Sequence, residues 1–146
     1  MRTTYETQAD LANESSVAAS IAVALDAEVA KVPVSYGVDA MLSRDESLIA
    51  WLEIKCRHGM RWGQYPDVMI SVLKLRAAAG LKASTGADTF FVVADETGEI
   101  RATNLCKTQT SWIRFGGRTA QTRDSADIEP VCHIPLARFH PVENMI

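Results

Sequence analysis

The chain has 146 residues, 47% of them apolar and 23% charged, with a formal net charge of −3. That composition excludes a disordered chain, and the length suits one domain that buries its core without metal or disulfide staples. No run of eighteen apolar residues is present to cross a membrane, and Met1 to Asp10 lacks the apolar stretch of a secretory leader.

The first predicted element is a helix over Thr4 to Ala30. Thr3 and Glu6 have the spacing of a capping box. Leu11, Glu14, Ala18, Ile21 and Leu25 recur at steps of three and four and build one helical face. Glu14 is the anomaly on that stripe. A carboxylate turned toward a core is costly unless it is paired, bound to a metal or placed at the wet edge of the stripe. Pro33 closes the helical region, because the residue before a proline disfavours helix.

A hairpin follows. Val34, Tyr36, Val38, Ala40 and Leu42 alternate with other residues, as do Leu48, Ala50, Leu52, Ile54 and Cys56. Period two predicts half-buried strands joined by the polar turn Ser43 to Ser47. If paired positions sum to 92, Val38 meets Ile54, Ala40 meets Leu52 and Leu42 meets Ala50, so that one face is wholly apolar. A slip of one residue would send the two apolar sets to opposite faces. The same register sets Asp39 opposite Glu53 and Gly37 opposite Lys55. Opposed side chains have Cβ atoms ~5 Å apart, so two carboxylates there need a compensating cation.

Arg57 to Gln64 is a basic, glycine-containing loop. Pro66 is expected to open a second helix, with Asp67 complementing its dipole, a core stripe of Ile70, Leu73 and Ala77, and Gly80 as its end. Phe90 to Ala94 is an apolar run typical of a strand buried on both faces. Asp95 to Gly98 turns into a short strand over Glu99 to Thr103. Trp112 to Phe115 and Pro130 to Ile134 read as edge strands, with an exposed loop from Gly116 to Asp127. The whole is an α/β domain over residues 1–146, with a mixed sheet flanked by helices.

The chemistry lies in Asp39, Glu53 and Lys55. Glu53 and Lys55 are two apart on one strand and share a face, which Asp39 joins from the neighbouring strand. Two carboxylates aimed at one point suit a hard divalent cation. A lysine beside them can position an attacking water and stabilise a pentavalent phosphorus. The bland alternative is an ion-pair ladder on the solvent face of a sheet; Met41 and Trp51 on that face argue for partial burial instead. Charge is also segregated. Residues 1–53 hold three Lys/Arg against nine Asp/Glu, 54–82 hold six against one, and 101–123 hold five against none. Such segregation can give an acidic protein a basic face for a polyanion. His58, His133 and His140 lack zinc-site spacing, and Cys56 reads as core packing. Cysteines that are odd in number and far apart (Cys56, Cys106, Cys132) point to a reducing setting.

At Val38-Asp39 and Glu53-Ile54-Lys55, with Glu14 on the helix before them, the chain resembles the PD-(D/E)XK phosphodiesterase superfamily, the restriction-endonuclease-like nucleases. The resemblance covers about residues 5–103, leaving 104–146 as a C-terminal extension with extra strands. It implies the αβββαβ core of that fold, with the first meander strand squeezed into about Val29 to Val34 or the first helix shorter than its pattern suggests. Val38 stands where the name-giving proline would be. The resemblance further implies Asp39 and Glu53 as ligands of Mg²⁺ or Mn²⁺, with the Ile54 carbonyl as a third. Lys55 is then the catalytic lysine, Glu14 completes the acidic cluster, and Lys74 lies near the scissile phosphate. Arg57, Arg61 and Lys82 join Lys74 as expected backbone contacts.

The expected function is therefore a metal-dependent nuclease acting on DNA, with RNA as the alternative substrate, in the cytoplasm of a cell or of a phage host. One active site per chain would need a homodimer, or two events, to cut both strands. The rival is a non-catalytic nucleic-acid- or protein-binding domain of the same fold.

Overall fold

A computed structural model describes residues 8–107, 113–117 and 128–146, with residues 10, 113–117 and 128 described by their backbone alone. Helix α1 spans Gln8–Leu25. Val17, Ile21 and Leu25 are its buried residues, while Leu11, Glu14 and Ala18 on the predicted stripe are half-buried. The capping box at Thr3 and Glu6 lies outside the described residues.

The helix stops at Leu25 and does not run on to Ala30. Asp26 takes a left-handed φ of 48°, and the Ala27 N–H donates to the Ala22 carbonyl at 3.1 Å. Arg44 closes the end: its Nε donates to the Asp26 carbonyl at 3.0 Å and its Nη2 to that of Leu25. A cation on the last carbonyls also complements the helix dipole. Strand β1 (Glu28–Lys31) follows at once and supplies the first meander strand.

Strands β2 (Ala40–Arg44) and β3 (Ser47–Cys56) form the expected hairpin. Ala40 pairs with Leu52, Met41 with Trp51 and Leu42 with Ala50, as the apolar faces require; a bulge after Leu42 then shifts Ser43 to Leu48. The turn is Asp45-Glu46, with φ of 51° and 65°. Positive φ at both central residues matches the twist of the flanking strands. The first strand begins six residues later than its alternation suggests. Pro33 offers no ladder donor, and Val34–Tyr36 closes into a 3-10 turn ended by left-handed Gly37.

Pro66 does not open a helix. Residues Asp67–Ser71 form strand β4, with Val68 and Ile70 buried, and α2 spans Val72–Thr85. Ser71 caps α2 by accepting the Leu73 N–H at 3.2 Å, Gly86 ends it, and Gly80 lies within it. The stripe Ile70-Leu73-Ala77 thus straddles two elements, and Leu73 is exposed.

Strand β5 (Thr89–Ala94) is buried throughout and β6 is Ile100–Asn104. Then come β7 (Ile113–Gly117), β8 (Ile128–Pro135) and β9 (His140–Pro141). A six-stranded mixed sheet runs β1-β2-β3-β5-β6-β9, and a three-stranded sheet runs β4-β8-β7. Only the β3–β5 pair of the large sheet is parallel, joined through α2. Pro130 to Ile134, expected at an edge, lies in the middle strand of the small sheet. Gly116 and Gly117 belong to β7, while Trp112 and the expected loop over 118–127 lie outside the described residues.

Two cores result. Val17, Ile21 and Leu25 of α1 pack on Ala40, Leu52, Ile54 and Val92. On the other face, Phe91 and Val93 meet Val68, Ile70, Cys132 and Ile134 of the small sheet, with Ala78 of α2. Cys56 packs against the first core, as expected of it. Among the described residues no helix is long and apolar enough to cross a membrane.

Candidate active site

The site forms where β2 stops pairing with β3. The Asp39 N–H donates to the Leu52 carbonyl at 3.0 Å, while its own carbonyl accepts from the Val32 N–H at 3.0 Å. In a regular strand both groups of a residue face one neighbour. Asp39 divides them between two neighbours and breaks the ladder. Its side chain takes over: Oδ2 accepts the Ile54 N–H at 2.7 Å. Because the N–H and carbonyl of Ile54 share a direction, that carbonyl also points past the last β2 rung toward Asp39.

Glu53 lies on the opposite face of β3 from Ile54, among Phe91 of β5 and Lys74 of α2. It is only 8% exposed. Lys74 Nζ stands 3.1 Å from Glu53 Oε1 and donates to the Gly37 carbonyl at 3.1 Å. The ion pair leaves Glu53 Oε1 buried without a hydrogen bond. Burial first, and then the Asp39 charge, push the Glu53 carboxyl from 4.5 up to about 7, against the pull of Lys74 and Lys55. Lys55 keeps exposed area, yet its ammonium is held below the ordinary lysine value, first by desolvation and then by Arg57. Met41 is half-buried and Trp51 is buried, so the carboxylate face is not an open solvent face.

The sequence-predicted residues divide into two groups. Asp39, Glu53, Ile54, Lys55 and Lys74 come together. Glu14, on α1, pairs with Lys31 at 3.4 Å and lines a cavity of about 400 Å³ that Ala40 and Ile54 also line. Arg57 Nη2 donates to the Met69 carbonyl at 2.8 Å and ties the end of β3 to β4. Arg61 pairs with Glu96 in the loop. Lys82 sits eight residues beyond Lys74, about 12 Å along α2, and pairs with Asp88 at 2.8 Å. His58 is an exposed loop residue beside Asn13.

Two features escaped the sequence reading. Gly37 holds Lys74 through its carbonyl, and its φ of 76° and its close approach to Ala77 are what require a glycine there. His133 bonds Asp67 at 2.9 Å across the small sheet, a pairing of residues far apart in sequence that left no local pattern.

Two carboxylates and a carbonyl on one edge suit a hard cation. The buried Glu53 carboxylate beside Asp39 fits such an ion, since its charged form stays disfavoured even with Lys74 at 3.1 Å and a divalent charge would relieve both desolvation and repulsion. Among the described residues no group of three or more His, Cys, Asp or Glu forms a metal cluster. Any cation here therefore rests on two carboxylates plus backbone.

The sequence matches, over residues 1–142, the family described as "Phage putative PDDEXK endonuclease". No curated protein matches it. Among solved structures, the Holliday junction resolvase Hjc of the archaeal hyperthermophile Archaeoglobus fulgidus is similar, with a TM-score of 0.62 at 10% identity, covering 92% of this chain and 93% of that one. D212, a nuclease from a fusselovirus, has a TM-score of 0.51 at 12% identity, covering 99% and 93%. At such identities the likeness is one of fold: the restriction-endonuclease-like α/β core expected from Asp39, Glu53 and Lys55.

Proposed function

The chain belongs to the phage PDDEXK endonuclease family, and from that premise we propose that it is a Mg²⁺- or Mn²⁺-dependent nuclease hydrolysing phosphodiester bonds in DNA. The observation that carries this is Glu53: a buried carboxylate beside a second one, whose charged form burial and Asp39 disfavour even with Lys74 at 3.1 Å. One lysine leaves part of that cost in place, and a divalent ion would offset the rest.

Asp39, Glu53 and the Ile54 carbonyl would hold the cation. Bound there, a divalent ion supplies charge stabilisation at the phosphate and a more acidic water. The chain's own groups do the rest. Asp39 is fixed by the Ile54 N–H and cannot swing away. Lys55, made less basic by its surroundings, orients the attacking water and takes up or steadies its proton. Lys74 offers its ammonium to a phosphate oxygen from the opposite side of Glu53. Glu14, paired with Lys31, stays on the Ile54 side of the sheet and is not one of the two carboxylates assigned to the ion. Arg57, Arg61 and Lys82 already hold protein acceptors. Lys74 likewise holds Glu53 and the Gly37 carbonyl, but it does so at the carboxylates themselves, which makes it the phosphate contact we favour.

The test is cleavage of supercoiled and linear DNA with Mg²⁺, Mn²⁺ or EDTA, beside Glu53→Ala and Lys55→Ala. Cleavage that needs metal and disappears in both variants is expected. Wild-type protein that cuts nothing, or cuts equally in EDTA, overturns the reading.

A further inference from the structure

Among the described residues, six large apolar side chains are exposed, and three of them sit on the two elements that the Lys74–Gly37 hydrogen bond joins: Val34 at 80%, Tyr36 at 47% and Leu73 at 53%. Scattered exposed apolar residues are ordinary, but a concentration beside a reactive centre marks a contact surface. Val34 and Tyr36 sit on the 3-10 turn that leads through Gly37 to Asp39. Leu73 sits in the first turn of α2, next to Lys74. The Lys74–Gly37 hydrogen bond, at 3.1 Å, fastens these two elements to each other.

The turn is held in place before any ligand arrives. Pro33 fixes its start and left-handed Gly37, packed on Ala77, fixes its end. The Tyr36 ring lies 5.8 Å from that of Trp51, whose Nε1 donates to Thr85 Oγ1 at 3.1 Å. Tyr36 is thus a rigid aromatic surface that loses little freedom on binding. Lys74, bonded to the Gly37 carbonyl next along the chain, provides a cation for an anionic backbone, and Lys55 lies at the same carboxylates.

A paired duplex turns phosphates and sugars outward and keeps the faces of its bases stacked inside. Those groups match the two lysines and leave Val34, Tyr36 and Leu73 without a partner. An unpaired base has a free π-face that matches them. We propose that Val34 and Tyr36, with Leu73 across the site, form a platform on which an unpaired base stacks beside the scissile phosphodiester, so that the protein prefers DNA with unpaired nucleotides over continuous duplex. This rests on the nuclease reading above and adds to it the form of the substrate.

The test measures binding of the full chain, with Ca²⁺ in place of Mg²⁺, to single-stranded, gapped and fully paired DNA of one sequence. A 2-aminopurine in the unpaired segment reports stacking through its fluorescence. Wild type should bind the first two DNAs more tightly and quench the probe. Val34→Ala and Tyr36→Ala should lower their affinity about fivefold or more and release the quench, with duplex binding nearly unchanged. Tyr36→Phe should behave as wild type. Val34 is exposed enough that its truncation spares the fold, which guards against misreading an unfolded Tyr36→Ala. Equal loss on all three DNAs, or no change on any, overturns the platform. Metal-dependent cleavage by wild type without discrimination among the DNAs overturns it while leaving the nuclease reading intact. Neither binding nor cleavage of any DNA overturns both.

Discussion

Lys74 Nζ stands 3.1 Å from Glu53 Oε1, so the cation nearest the buried carboxylate comes from the chain itself. The second helix reaches across the sheet to supply it, and the Gly37 carbonyl holds it there. This answers the repulsion that the hairpin register foresees between Asp39 and Glu53. It also sets the lysine in competition with any divalent ion for the same oxygen.

Replacing Lys74 by methionine should therefore strengthen Mn²⁺ binding while weakening cleavage. Removing one positive charge within about 5 Å of a dication changes affinity by roughly tenfold even with strong dielectric screening. Isothermal titration at pH 8 measures the first effect and plasmid cleavage the second. Unchanged Mn²⁺ affinity would show that the lysine and the ion do not compete.

Glu53 makes stability fall as pH rises. Its carboxyl goes from 4.5 when unfolded to about 7 when folded, so between those values the folded chain binds the proton more tightly. The protein is then most stable with respect to this group below pH 4.5, loses stability up to pH 7 and stays lower above it. The gap corresponds to about 3 kcal/mol at most. Glu53→Gln should flatten this slope and melt higher than wild type at pH 8 in EDTA. Thermal melts of both proteins across pH 4.5 to 8 decide it; parallel curves would mean that Glu53 is not protonated near neutrality.

Much of this was legible in the sequence because it is local or periodic. The alternation around Ala40, Leu42, Ala50, Leu52 and Ile54 dictates the hairpin register, and the spacing of Glu53 and Lys55 gives their shared face. The extent of α1 was not legible. Asp26 to Ala30 has helix-favouring composition, and the stop comes from Arg44, a partner eighteen residues from Asp26. Strand β4 was hidden because Ile70, Leu73 and Ala77 recur at helical steps of three and four, while the single strand step from Val68 to Ile70 is too short to stand out until β8 is known to pair there. The ties of Arg57, Arg61 and Lys82 to Met69, Glu96 and Asp88 are tertiary, so basic character alone made all three look like phosphate contacts.

Asp39 has two roles that substitution can separate. Asparagine keeps an acceptor for the Ile54 N–H and removes the charge; alanine removes both. Cleavage should drop at least roughly a hundredfold in either variant, as expected when charge stabilisation at a reacting phosphate is lost. Only Asp39→Ala should also lose stability, by about 1–3 kcal/mol, because it leaves a half-buried N–H unpaired. Urea unfolding beside the cleavage assay separates the effects. Equal stability of the two variants would show that the hydrogen bond contributes nothing.

Gly37 links the backbone of the site to its charge. Its φ is 76°, and a Cβ there would approach the Ala77 Cβ to 2.9 Å. Gly37→Ala must therefore strain the left-handed turn and push the 3-10 segment away from α2. The cost should be about 1–3 kcal/mol, more than an alanine in open space at positive φ would incur. The displaced carbonyl would also release Lys74, so cleavage should fall further than stability accounts for. Gly63→Ala is the control, since its φ of 93° is comparable and nothing lies within 4 Å. Melting temperatures and cleavage rates of the two variants should differ in the same direction. If Gly63→Ala proves equally damaging, backbone strain alone explains the loss and the packing of Gly37 on Ala77 does not matter.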